Sequence, residues 1–102
     1  MAVVRISLGR FDAGQYETVR RLLDQSRETL IPAISALRGN RGYYVGIDRE
    51  TNAMTNVSLW ETRADAEQMA TLSAMLDWAK TFTETGVRFE RPITNHETLW
   101  TL

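Results

Sequence analysis

The chain has 102 residues, with 12 basic and 13 acidic side chains for a net charge of −1, no cysteine and a single histidine. That length makes one domain, residues 1–102. The missing cysteines exclude disulfides, thiolate nucleophiles, iron–sulfur clusters and cysteine-bearing zinc sites, and a lone histidine excludes two-histidine metal motifs, so no metal site is expected. Balanced charge without a run of one sign excludes the electrostatic footprint of a nucleic-acid or anionic-membrane binder. The opening "MAVVRISLGR" has an apolar run too short for a signal peptide and broken by Arg5, and no stretch reaches membrane-spanning length, so the cytoplasm is the expected compartment.

In chain order, "AVVRISL" (2–8) alternates and is β-branched, which predicts a first strand, and "GRFDAGQ" supplies a turn. From Tyr16, apolar residues at Val19, Leu22, Leu23, Leu30, Ile34 and Leu37 recur at spacings of three and four, predicting a helix with one buried stripe. Pro32 lacks an amide hydrogen and disfavours helix at Ile31, so a kink or a restart as "PAISAL" is expected there. Gly39 in "RGNRG" is the natural left-handed cap.

Two strands follow, "YYVGID" (43–48) and "AMTNVSLWE" (53–61), joined by "RETN". An even-length connection predicts a hairpin in which Tyr43, Val45 and Ile47 share a face with Met54, Asn56, Ser58 and Trp60. Tyr44, Gly46, Thr55, Val57 and Leu59 then occupy the opposite face. "TRADAEQM" predicts a second helix, with Thr62 as cap, Asp65 as acceptor at the third position, and a stripe through Ala66, Met69, Leu72, Leu76, Ala79 and Phe82. Gly86 closes it. "VRFER" (87–91) is a fourth strand, and after Pro92 "ITNHETLWTL" alternates again as a C-terminal extension.

The order β-α-β-β-α-β predicts an α+β, ferredoxin-like fold: a four-stranded antiparallel sheet with both helices on one face, core 2–91 and tail 92–102. The other face would carry Val57, Leu59 and Tyr44, too apolar to leave bare, so it is expected to pack on a second copy as a homodimer.

The strand order, the entry "GNRGYY" (39–44) to the second strand and the passage "SLWETRADAEQM" (58–69) from third strand to helix resemble the antibiotic-biosynthesis monooxygenase family of dimeric α/β-barrel domains. The resemblance covers roughly residues 2–91. It implies two sheets closing a barrel across a dimer and a cofactor-independent oxygenase acting on a small aromatic or quinol, with a pocket between sheet and helices. In several members an Asn four residues before the Trp lines that pocket, a spacing matched by Asn56 and Trp60. Haem-degrading relatives bind iron through a histidine on the second helix, and "AEQMATLSAMLDWAKTF" contains none.

Read chemically, Asn56 is an unusual mid-strand residue whose amide is suited to stabilising charge on a phenolate or enolate oxygen, and it is the candidate catalytic group. Trp60, Tyr43, Ser58 and Met69 are candidate substrate-binding residues: Trp60 as a stacking wall or as core, Tyr43 as a hydroxyl donor on the Asn56 face, Ser58 between them and Met69 as polarizable lining. His96, the one imidazole, joins the list if the tail folds over the pocket mouth. No cofactor is expected. The competing readings are a non-catalytic dimer that sequesters a small hydrophobic molecule, and an interaction module whose cavity has collapsed around Asn56.

Overall fold

A computed structural model describes residues 2–102. Its elements are β1 (Val3–Arg10), α1 (Tyr16–Ser35), β2 (Asn40–Asp48), β3 (Ala53–Trp60), α2 (Arg63–Glu67), α3 (Ser73–Thr85), β4 (Arg88–Phe89) and β5 (Thr94–Glu97). They form an antiparallel sheet of order β2-β3-β1-β4, with β5 also paired to β1. This is the α+β, ferredoxin-like arrangement, with the sheet open rather than closed into a barrel within one chain.

The expected hairpin register is present, with Asp48 opposite Ala53, Ile47 opposite Met54 and Tyr43 opposite Ser58. The tail is not a free extension. β4 pairs with the end of β1 at Gly9 and Arg10, and β5 pairs with its start from Val3 to Ile6, so the two lie end to end along one edge. Pro92 has no amide hydrogen to give the ladder, and the pairing is interrupted around it.

Alternation along β1 and β3 sends Val3, Met54, Ser58 and Trp60 into the helix-covered face, where all four are buried. Two apolar clusters result. One joins Val3 and Trp60 to Leu30, Ile34, Ala66 and Met69, and the other joins Met54 to Phe11, Tyr16, Val19, Phe82 and Val87. Trp78 packs against both.

The restart at Pro32 and the unbroken second helix need correcting. α1 continues through Pro32 to Ser35 without restarting. Proline there removes only one hydrogen bond, and burial of Leu30 and Ile34 on the Trp60 cluster outweighs that loss. The second helix is in fact two: α2 passes through a 3-10 turn over Gln68–Thr71, and Leu72 has extended backbone (φ −71°, ψ 115°) before α3 begins. The break leaves Leu76, placed on the buried stripe by spacing, 53 % exposed.

The Thr62 and Gly86 caps are in place, whereas α1 is capped by Ala36 in right-handed backbone and Gly39 turns the chain only after it. The Asp65 amide donates to Thr62 Oγ1 at 3.1 Å, but the Asp65 carboxylate accepts from Arg38 Nε at 2.8 Å instead of returning to the cap. Gly39 has φ 77°, and a β-carbon there would sit 2.1 Å from the Asp65 carboxylate. Glycine therefore lets the loop after α1 close down on α2.

Candidate functional site

Between the sheet and the helices, lined by members of both apolar clusters, lies a cavity of about 280 Å³. Its walls are apolar: Leu23 and Leu30 from α1, Met69 from the 3-10 turn, and Met75, Leu76, Trp78 and Phe82 from α3. Its floor is polar. Arg5 stands directly opposite Ser58, and Ser7 opposite Asn56, in the β1–β3 ladder, so alternation brings four polar side chains to one patch of the helix-facing sheet surface. Arg91, just past β4, completes the lining on the side of Phe89 and Ile93.

Asn56 is held by its neighbour. The Tyr43 hydroxyl donates to Asn56 Oδ1 at 2.5 Å across the β2–β3 ladder. Burial pushes the Tyr43 pKa up to about 12, so the phenol stays protonated and acts as a donor rather than a base. With its oxygen engaged, the amide keeps its two N–H donors on Nδ2, and among the described residues no acceptor pairs with them. Because Asn56 lines the cavity, those donors are available to a bound oxygen.

Ser58 and Trp60 form a second pair. The indole Nε1–H donates to Ser58 Oγ at 2.8 Å, with Trp60 0 % and Ser58 2 % exposed. Ser58 reaches the cavity, whereas Trp60 lies wholly within the core beside Val3, Ile34 and Ala66. The expectation that Trp60 stacks on a ligand is therefore corrected: α2 covers the indole, and its one polar atom is spent on Ser58. Tyr43 likewise touches Asn56 rather than the cavity.

His96 is elsewhere. It lies opposite Val4 in the β1–β5 ladder, on the face away from the helices, exposed and with Nε2 2.9 Å from Thr94 Oγ1. The tail does fold against its own β1, but pairing Asn95 with Arg5 turns the next residue outward, so parity removes His96 from the cavity. Of the six side chains singled out by sequence, Asn56, Ser58 and Met69 meet at the cavity, Tyr43 and Trp60 support them from behind, and His96 does not take part.

Sequence reasoning missed Arg5, Ser7, Trp78 and Arg91. Burial, and after it the charge of Arg91, lower the Arg5 pKa from its ordinary value. No Asp or Glu lines the cavity. Among the described residues no group of three or more acidic or imidazole side chains converges as metal ligands, and no helix is long and apolar enough to cross a membrane.

No family model matches the chain, and no curated protein sequence does. Solved structures share its fold. Rv0793 from Mycobacterium tuberculosis superposes with a TM-score of 0.71 at 16% identity, over 99% of this chain and 98% of that one. A candidate antibiotic biosynthesis monooxygenase from Nitrosomonas europaea gives 0.73 at 14% identity, over 97% and 91%. SnoaB, a cofactor-independent oxygenase from Streptomyces nogalater, gives 0.67 at 12% identity, over 99% and 96%. The fold is thus that of antibiotic biosynthesis monooxygenase-type proteins.

Proposed function

We propose that the protein is a cofactor-independent oxygenase of a small aromatic or quinol, with Asn56 binding the substrate oxygen. The observation that supports it is the Asn56 amide: its oxygen is occupied by Tyr43, and its N–H donors are free at the wall of an apolar cavity. A donor fixed in this way stabilises negative charge developing on oxygen at little reorganisation cost. A substrate carbanion, formed beside that oxygen, passes electrons to dioxygen and forms a C–O bond. The resulting peroxide takes back the proton first lost, and loss of the remaining C–H proton then breaks the O–O bond, giving the carbonyl and hydroxide, which with that proton is the water formed.

No cavity-lining side chain is a carboxylate or an imidazole. The substrate must therefore enter ionised or lose its proton to water, and Arg5 and Arg91 favour the anion electrostatically. The same feature supports a second reading, a protein that binds such a molecule without turnover. An interaction module with a filled interior fits less well, because the cavity is open and the Asn56 donors are unspent.

The open sheet face, with Tyr44 64 % and Ile6 36 % exposed, is proposed to pair with a second copy, closing two sheets into a dimeric barrel. The deciding experiment follows oxygen uptake and quinone formation with anthrone and hydroquinone substrates. Wild type should turn over, and Asn56→Ala should lose about 10²–10³ in kcat, the range for one oxyanion donor. Wild type that matches buffer across the panel while still binding these compounds leaves the non-catalytic reading.

A further inference from the structure

Five of the eleven arginines in this protein are paired with acids. Arg10, Arg38, Arg49, Arg63 and Arg88 each pair with a carboxylate within 4.0 Å, namely Glu90, Asp65, Glu17, Glu67 and Asp12. The two that line the cavity, Arg5 and Arg91, make no ion pair among the described residues. Arg5 also leaves a cross-strand acceptor alone: Asn95 faces it in the ladder, yet among the described residues the buried Asn95 Oδ1 has no hydrogen-bond partner. A half-buried guanidinium cannot shed its charge, and placing a second one close by is unfavourable unless something negative joins them. Arg91 lies with its guanidinium carbon 5.7 Å from the Phe89 ring centre, so its charge sits beside the apolar wall.

We propose that the cavity is selective for an aromatic ligand bearing a carboxylate, whose anionic group is held between Arg5 and Arg91 while its ring lies against Met54, Trp78 and Phe82. Two planar forks of N–H donors match the geometry of a carboxylate, and apolar walls match the ring. The volume of about 280 Å³ is that of a small ligand of one or two rings. Lowering of the Arg5 pKa by burial and by Arg91 is the electrostatic cost that a bound anion would relieve. The inference rests on the same cavity as the proposed function but requires no turnover.

Calorimetric titration of 1-naphthoate against 1-naphthamide tests it, because the two share a ring system and differ in charge. Wild type should bind the carboxylate about tenfold to a hundredfold more tightly, the range for charge-assisted hydrogen bonds, and the preference should shrink with added salt. Arg5→Gln and Arg91→Gln should each erode the preference by weakening carboxylate binding more than amide binding, and Arg5→Lys should restore part of it. Arg91 is exposed, so its variant reports even if the Arg5 variant folds poorly. Equal affinity for the two probes, binding of neither, or a preference that survives both glutamine variants overturns the proposal. Oxygen uptake with neutral hydroquinones but no carboxylate preference would sink this inference alone. A clear preference without oxygen uptake on any substrate would sink the oxygenase reading alone.

Discussion

Ser58→Ala probes how the hairpin strand supports both core and cavity. The substitution removes the acceptor for the Trp60 indole N–H, a donor within a side chain that is 0 % exposed. An unpaired buried donor costs about 1–3 kcal/mol. Because Ser58 borders the cavity, water entering there can recover part of the bond, which places the expectation at about 1–2 kcal/mol. For a domain of this size each kcal/mol lowers Tm by about 4–8 °C, so a fall of roughly 4–16 °C is expected. Size loss alone contributes little, since serine and alanine differ by one hydroxyl.

Calorimetry or thermal circular dichroism on a double-mutant cycle with Trp60→Phe isolates the bond. Phenylalanine keeps an aromatic body in the core but carries no donor, so Ser58→Ala should be nearly neutral in that background. The coupling should therefore be about 1 kcal/mol or more. If Ser58→Ala costs the same in both backgrounds, the hydroxyl is not serving the indole, and the division into a structural Trp60 and a cavity-facing Ser58 is wrong.

Two further outcomes are expected. Ultraviolet titration at the tyrosinate band should show one of the three tyrosines ionising only near pH 12, a step removed by Tyr43→Phe. Its folded pKa is raised, so its stabilising contribution is complete below the unfolded value of about 10 and disappears as pH rises through about 12. Stability should thus decline in that alkaline window, and less so in Tyr43→Phe. For the open sheet face, sedimentation equilibrium should give a dimer for wild type and a monomer for Leu59→Arg, which places a charge in the proposed interface; a wild-type monomer at high micromolar concentration defeats the pairing.

The hairpin was legible because its register needs only parity: an even-length connection fixes the faces of Tyr43, Asn56 and Ser58 from local sequence alone. Arg5 was not, because its position on the cavity floor depends on β1 lying against β3, a pairing about fifty residues apart in sequence that no local pattern registers to the residue. The alternation of "AVVRISL" does place Arg5 and Ser7 together, but which face they join is a tertiary fact. The break at Leu72 was hidden by its own stripe: spacings of three and four persist across it, while the backbone leaves the helix for one residue. His96 failed for a related reason, since a strand's parity is set by its partner and the interruption at Pro92 resets any count carried forward from β4.

Alternation put Asn56, Ser58 and Trp60 on one face, yet packing gives the three unlike tasks. Trp60 sits at the strand's end, where α2 covers it, so its indole goes to the core and needs one acceptor; Ser58, two residues back, supplies that acceptor and becomes the boundary of the cavity. Asn56, two residues further, has Tyr43 to fix its oxygen, which leaves its two N–H donors without a partner among the described residues. On β1 the matching positions, opposite Ser58 and Asn56, hold Arg5 and Ser7, and among the described residues the guanidinium makes no ion pair. Unspent donors without a matching acceptor are costly in an interior. Their concentration on two adjacent strands, facing the cavity, supports the proposed site for an electron-rich oxygen ligand over a purely structural sheet.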